Sequence, residues 1–196
     1  MTENMSITAK LTPYLVPISL VFIMALTRFQ HFGDSLHLPD ASLAVFFLAG
    51  LYHSTVLKRR TVFIALLLIA GMIDFAAIQM GTSAWCISPA YVFLVPTYFV
   101  MWRVGQYCRY FQLTSVSSLL KAFVWVALAS TAAFFISNMS FYLFSGRYSD
   151  MPVMNYLVNS AHYYPAYVGY TLIYAVLGYA AIFISQSFKP AVLRAA

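Results

Sequence analysis

Long apolar stretches recur along almost the whole sequence, and only short polar segments separate them. A helix needs roughly 20 apolar residues to cross the hydrocarbon core of a bilayer. Of the 196 residues, 62% are hydrophobic and 8% are charged, whereas a soluble domain carries about 25% charged residues. Such a chain cannot cover a surface that faces water. The sequence therefore predicts an all-α integral membrane protein, with one transmembrane domain over residues 1–196 and no soluble domain.

The apolar stretches predict six transmembrane helices, because their period is helical or featureless and they are too long for barrel strands. The predicted spans are about 11–27, 41–57, 61–80, 90–109, 117–144 and 161–188. The polar segments 28–40 and 145–160 are predicted to be loops. The fifth span is longer than a bilayer requires, so we expect it to tilt or to project into water.

Basic residues orient the predicted spans. Most of the lysine and arginine residues lie on one side when the N-terminus is placed inside: Lys10, Lys58, Arg59, Arg60, Arg103, Arg109, Lys121, Lys189 and Arg194. The outer loops hold only Arg28 and Arg147. The positive-inside rule therefore predicts that both termini are cytoplasmic. The net charge of +6 does not indicate nucleic-acid binding, because no segment carries a basic stripe.

Under this topology, most of the reactive side chains collect at the outer face. They are His31, Asp34 and His37 in the first outer loop, Cys86 and Tyr91 after the third span, and Arg147, Asp150 and His162 near the third outer loop. Such convergence is typical of a pocket that opens outward. Polar residues of any membrane protein also collect in loops, so both interpretations stay open.

Asp74 lies inside the third predicted span, about 10 Å from its outer end at 1.5 Å per residue. A carboxylate at the bilayer centre costs about 2.5–3.5 kcal/mol on insertion scales, so it should face a partner or a water-filled cavity. A ligand contact, a proton acceptor and a hydrogen-bond partner of a neighbouring helix are all compatible with this position.

Cys86 follows Trp85 in the short outer loop SAWCISPAY. A thiolate there could be a soft metal ligand or a nucleophile, or the residue could be a small buried hydrophobe, an interpretation that suits Cys108. No second cysteine lies nearby, which excludes a CxxC zinc site. The predicted topology places Cys108 on the other side of the membrane, so we expect no disulfide between them. The pair His31 and His37 could bind a metal or could be solvated.

The length, the six-helix plan, the internal N-terminus and the long first outer loop resemble the S-components of energy-coupling-factor vitamin transporters. The stretch LPDASLAVFFLAGLY, from Leu38 to Tyr52, is similar to the end of their first loop and the start of their second helix. Those proteins bind one vitamin at the extracytoplasmic face. Many carry an Ala-x-x-x-Ala pair on the first helix for docking to a shared partner. The span 11–27 lacks this pair, so the resemblance does not extend to a shared ATPase module.

Within this class the chain resembles the BtuM group, solitary S-component-like proteins of Gram-negative bacteria linked to cobalamin uptake. Cys86 stands where that group has a cysteine as axial ligand of the corrin cobalt, with Asp74 in the preceding helix and Tyr91 five residues further on. The resemblance implies a cobalamin transporter of the bacterial inner membrane, with Asp74, Tyr91, His31 and Arg147 lining the pocket. A thiolate on cobalt would also labilise the opposite ligand, so we expect Cys86 to favour loss of cyanide from cyanocobalamin.

Three other functions stay open. An S-component for another vitamin would hold Cys86 away from its ligand. A membrane-embedded thiol or redox enzyme acting on a quinone or lipid would use Cys86, Asp74 and the loop histidines, although Cys108 is misplaced as a resolving cysteine. A structural or assembly subunit would bind no ligand. An aspartyl intramembrane protease is excluded, because Asp74 is the only acidic residue inside a predicted span.

Overall fold

The computed structural model describes the backbone of residues 2–28, 39–52, 58–111 and 115–187, and the side chains in these ranges except those of residues 2–13, Cys86 and residues 185–187. This described part is all-helical, as the sequence predicted. Its helices are α1 (Thr2–Arg28), α2 (Ser42–Leu51), α3 (Arg59–Gln79), α4 (Leu94–Cys108), α5 (Val116–Phe144), α6 (Val153–Ala161) and α7 (Tyr164–Ser187). Two 3₁₀ turns, Ala84–Cys86 and Pro89–Phe93, connect α3 to α4.

The short helix α6 lies within the segment 145–160 that the sequence predicted to be a loop. Pro152 precedes it with a φ of −58°, an angle that the proline ring fixes and that suits a helix start. Tyr156 and Ser160 are buried, and their spacing of four residues puts them on one helix face. The segment was predicted to be irregular because its apolar positions are too few for a span, although they suffice for a short amphipathic helix.

Three helices are long and apolar enough to cross a membrane: Arg59–Gln79, Val116–Phe144 and the segment Tyr164–Ile184 of α7. Their mean hydropathies are 2.4, 2.0 and 1.7. The apolar segments Tyr14–Arg28 and Ser42–Leu51 are shorter within the described residues. The six-span topology therefore stays a prediction, and residues 53–57 of the second predicted span lie outside the described part.

Helix α2 lies in the core, in contact with α1, α3, α4 and α7. Every residue from Ser42 to Gly50 is buried, as expected of a helix whose sequence is apolar on all sides. The ring of Phe46 stacks on that of Tyr98 in α4, with 4.3 Å between the ring centroids and 4° between the planes. This packing fixes the first turns of α4 against α2.

Two glycines bring the backbones of α2 and α4 close together. A Cβ atom at Gly50 would overlap the carbonyl oxygen of Trp102, and one at Gly105 would overlap the carbonyl oxygen of Phe47. Small residues permit such close helix crossings. The crossing holds these two helices in a fixed register.

Helix α5 buries mostly small residues, together with Val126 and Phe134, and exposes large apolar residues. Its buried positions include Ala122, Ala129, Ser130 and Ala133. Its exposed positions include large side chains such as Leu120, Phe123, Val124, Leu128 and Phe135. The exposed surface of this helix is therefore strongly apolar, which is unfavourable in water.

Candidate functional site

A cavity of about 570 Å³ lies at one end of the helix bundle, within the range of about 300–1,000 Å³ that is typical of small-molecule sites. It is bounded by the C-terminal parts of α1, α3 and α5 and by the N-terminal parts of α2, α4 and α7. The segment that connects α3 to α4 contributes Thr82, Ser83, Ile87, Ala90 and Tyr91 to its lining. The cavity therefore gathers residues from six helices at the bundle end where α1 stops.

Arg28, the last residue of α1, lies in this cavity with only 4% of its side chain exposed. Its Nε donates to Oδ1 of Asp74 and its Nη2 donates to Oδ2, both at 2.6 Å. This two-pronged geometry matches the planar guanidinium to a carboxylate and makes a strong, specific ion pair. Asp74 of α3 is thus paired as well as facing a cavity, the two environments expected for a carboxylate inside an apolar span.

The remaining nitrogen of Arg28 faces α2 and α4. Nη1 donates to the hydroxyl of Tyr98 at 2.6 Å, to Oγ of Ser42 at 3.1 Å and to Oδ2 of Asp40 at 3.3 Å. Oδ1 of Asp40 accepts from the backbone N–H of Ser42 at 2.9 Å and from its hydroxyl at 2.6 Å. One guanidinium therefore joins α1, α3, α4 and the start of α2.

Tyr91, which lies in the 3₁₀ turn Pro89–Phe93, is the last member of this group of hydrogen-bonded side chains. Its hydroxyl donates to Oδ2 of Asp74 at 2.5 Å, so the two residues that the sequence singled out are in direct contact. We call the set of Arg28, Asp40, Ser42, Asp74, Tyr91 and Tyr98 the arginine cluster. All of its members except Ser42 line the cavity. Their formal charges sum to −1, from one arginine and two aspartates.

Another part of the cavity lining, which we call the aromatic wall, is formed by aromatic side chains. Its members are Phe141 of α5, Tyr163 just before α7, and Tyr167 and Tyr170 in the first turns of α7. Aromatic faces of this kind bury large apolar area and can stack on a flat ligand. The cavity thus combines one polar, charged wall with one aromatic wall.

The Cys86 segment forms the edge of the cavity. Gly81, with a φ of 100°, ends α3 in the left-handed conformation that glycine adopts readily. The chain then enters the turn Ala84–Cys86, which Ser83 caps by accepting from the N–H of Trp85 at 3.2 Å. Ser83 and Ile87, on either side of this turn, both line the cavity. The backbone of Cys86 is therefore at the cavity edge, and its side chain lies outside the described part.

Arg147 lies beside this edge and not in the cavity lining. Its guanidinium carbon is 3.9 Å from the ring centroid of Trp85, a cation–π contact between two exposed side chains. Arg147 therefore touches the residue that precedes Cys86. Asp150 is exposed as well, and His162 packs its ring against Tyr163.

No protein-family model and no curated protein matches this chain. Its function must therefore be argued from the cavity and the residues around it.

Several predicted residues are not part of the described cavity. His31, Asp34 and His37 lie outside the described residues. Within the described ranges, no group of three histidine, cysteine, aspartate or glutamate side chains could hold a metal ion. Cys108 is a free, buried thiol at the end of α4, as its interpretation as a small hydrophobe predicted.

The sequence analysis missed Arg28, Asp40 and Tyr98 as site residues. One signal pointed to Arg28: it was one of two basic residues left on the outer side by the positive-inside rule. A basic residue at the outer end of an apolar helix indicates an internal partner, and Asp74 was the one acidic residue in a predicted span. Asp40 and Tyr98 gave no comparable signal, because their contacts depend on the packing of α2 against α4.

Proposed function

We propose that this chain is a bacterial inner-membrane protein that captures cobalamin at the extracytoplasmic face for uptake. The observation that supports it best is the cavity itself, which has the Cys86 segment at its edge and Asp74 and Tyr91 in its lining. These are the three positions at which the resemblance to the BtuM group is most specific.

The proposal includes six spans with both termini in the cytoplasm. Three apolar helices of spanning length support it, as does the exposure of large apolar side chains over a small-residue interior on α5, a pattern typical of helices packed in lipid. Lys58, Arg59 and Arg60 stand at the start of α3 and Arg109 follows α4, at the bundle end opposite the cavity. The positive-inside rule places these basic residues in the cytoplasm, so the cavity at the other end faces the extracytoplasmic side.

The ligand chemistry agrees with the walls of the cavity. A corrinoid is flat, amphipathic and rimmed with polar groups, so it would use both the aromatic wall and the arginine cluster. A whole cobalamin is larger than the described cavity, so in this proposal the corrin ring enters it and the rest of the ligand projects. Cys86 supplies a thiolate to the cobalt, because soft sulfur ligands suit late transition metals.

The same thiolate gives the protein a ligand-exchange activity. In this exchange the sulfur of Cys86 replaces the base of the nucleotide tail on the lower face of the corrin cobalt, and its electron density weakens the bond on the other face. Cyanide then leaves with its bonding electron pair, the cobalt keeps its oxidation state, and the thiol proton goes to solvent. No reductant is required for this step.

A second candidate, capture of a smaller vitamin, is favoured by the cavity volume. About 570 Å³ would enclose a compact, flat vitamin completely. A thiol oxidoreductase lacks such support, because Cys108 ends α4, about 22 Å beyond its start at 1.5 Å per residue. A competition experiment between cyanocobalamin and smaller vitamins distinguishes the cobalamin hypothesis from the smaller-vitamin hypothesis.

The experiment is co-elution of ligand with the detergent-purified chain on a size-exclusion column. We expect cyanocobalamin to co-elute in about equimolar amount and an excess of riboflavin, thiamine or biotin to leave it bound. Displacement by one of these vitamins would support the second candidate. Failure to retain a corrinoid under any condition would remove the cobalamin proposal.

A further inference from the structure

We infer that the arginine cluster selects ligands that present N–H donors to it and rejects ligands that present a carboxylate at the same place. Its application to corrinoids rests on the proposed function. The corrinoid that the protein prefers is then the one whose rim groups are amides and not acids. The arginine alone would suggest the opposite preference, since guanidinium groups commonly bind anions.

The guanidinium of Arg28 is already committed to protein oxygens. All three of its nitrogens donate to described side chains: Nε and Nη2 to Asp74, and Nη1 to Tyr98, Ser42 and Asp40. A ligand carboxylate could reach Arg28 only by displacing one of these oxygens. At Nε or Nη2 that exchange would leave the buried Asp74 without its counter-ion, which is strongly unfavourable, and at Nη1 it would place a third carboxylate beside Asp40.

The atoms of the arginine cluster that can still accept a hydrogen bond from a ligand are carboxylate oxygens. Asp40 is the more accessible of the two, with 31% of its side chain exposed against 11% for Asp74. Its Oδ2 meets Arg28 at 3.3 Å, a longer contact than the 2.6 Å bonds between Arg28 and Asp74. A carboxylate has about four lone-pair sites, so Oδ2 of Asp40 can accept from a ligand without breaking the cluster.

The net charge of the cluster acts in the same direction. One arginine and two aspartates leave a formal charge of −1 in the lining of the cavity. Like charges across such a contact are strongly disfavoured, whereas a neutral amide keeps its hydrogen bond. The cluster therefore discriminates by repulsion as well as by attraction.

Corrinoids offer a matched pair of ligands for this test. The rim amides of cyanocobalamin can be hydrolysed one at a time to monocarboxylic derivatives that have nearly the same shape. Each derivative changes one N–H donor into a negative charge and leaves the cobalt chemistry intact. The affinity ratio of amide to acid then reports the combined effect of the lost N–H donor and the added negative charge.

The experiment measures the Kd of cyanocobalamin and of each monocarboxylic derivative for the detergent-purified full chain at neutral pH. At least one derivative, the one whose acid meets the cluster, should bind about tenfold or more weakly than the amide. In Asp40→Asn that ratio should fall below about threefold. The asparagine keeps an Oδ1 atom that can accept from Ser42, so the local fold should be preserved. The control is Asp150→Asn, which removes an exposed charge outside the cavity and should leave the ratio unchanged.

Two results would overturn the inference while the proposed function stands. One is binding of every monocarboxylic derivative within about threefold of cyanocobalamin. The other is a selectivity that persists unchanged in both Asp40→Asn and Asp74→Asn, with thermal unfolding of each variant showing a folded chain. Absence of binding by cyanocobalamin and all derivatives would instead overturn the proposed function, and the corrinoid form of the inference with it.

Discussion

Arg28 and Asp74, separated by 46 residues in the sequence, form a buried two-bond ion pair that ties the end of α1 to the C-terminal part of α3. Each bond is 2.6 Å long, and the pair lines the cavity. The ion pair has two consequences. It gives the carboxylate within an apolar helix a counter-ion, and it commits two nitrogens of Arg28 to the protein.

Removing both partners of this pair should destabilise the protein by less than the sum of the two single removals. Arg28→Met leaves the buried Asp74 without its counter-ion, and Asp74→Leu leaves the buried Arg28 with only its longer contact to Asp40, so each should cost at most about 3–5 kcal/mol. In the double variant the second substitution should cost much less than it does alone. Thermal unfolding of the four proteins in the same detergent measures the coupling. Additive losses in the double variant would contradict the ion pair as described.

Tyr91→Phe should weaken the arginine cluster without disrupting the fold. The change removes the hydroxyl that donates to Oδ2 of Asp74, a bond to a charged group that is worth about 1.5–3 kcal/mol. The unfolding temperature should fall, and corrinoid affinity should fall with it. Tyr170→Phe, which alters another cavity tyrosine outside the cluster, is the matched control. Equal losses of unfolding temperature and affinity in the two variants would show that the hydrogen bond to Asp74 contributes no more than the hydroxyl of Tyr170.

The crossing of α2 and α4 should not tolerate a single added methyl group. In Gly50→Ala or Gly105→Ala the new Cβ overlaps a backbone carbonyl oxygen of the facing helix, and overpacking costs about 1–3 kcal/mol even where side chains can move. Gly71→Ala and Gly169→Ala have no atom within 4 Å of the new Cβ. Because alanine favours a helix by about 0.5–1 kcal/mol over glycine, these two controls should be neutral or stabilising. Chemical denaturation of the four variants checks the contrast.

Arg147→Gln should have a small effect on ligand affinity, less than about threefold. Arg147 contacts Trp85 from outside the cavity, and an exposed cation–π contact is worth about 0.5–1 kcal/mol. The resemblance to the BtuM group instead implies that Arg147 lines the pocket, and a loss of affinity of tenfold or more would favour that assignment. Equilibrium titration of cyanocobalamin into wild type and variant decides between them.

Hydropathy predicted the helices well because each apolar stretch is a local property of the sequence. Asp74 was found in the same way, as a local exception to an apolar span. Arg28 was harder to place, since its partners lie 12 to 70 residues away and only the packing of four helices brings them together. Tyr98 looked like one aromatic residue among many. The short helix α6 was missed because nine residues are too few to form an apolar stretch of spanning length.

The most direct test of the central claim is the visible absorption spectrum of corrinoid bound to the purified chain. Wild type, Cys86→Ser and Cys108→Ser are incubated with cyanocobalamin, freed of unbound ligand and compared. We predict a retained spectrum that is shifted in wild type and in Cys108→Ser, and a spectrum without that shift in Cys86→Ser, because in the proposed function Cys86 is the residue that binds cobalt. Wild type that retains no corrinoid, or that shows the same spectrum as Cys86→Ser, would contradict the account.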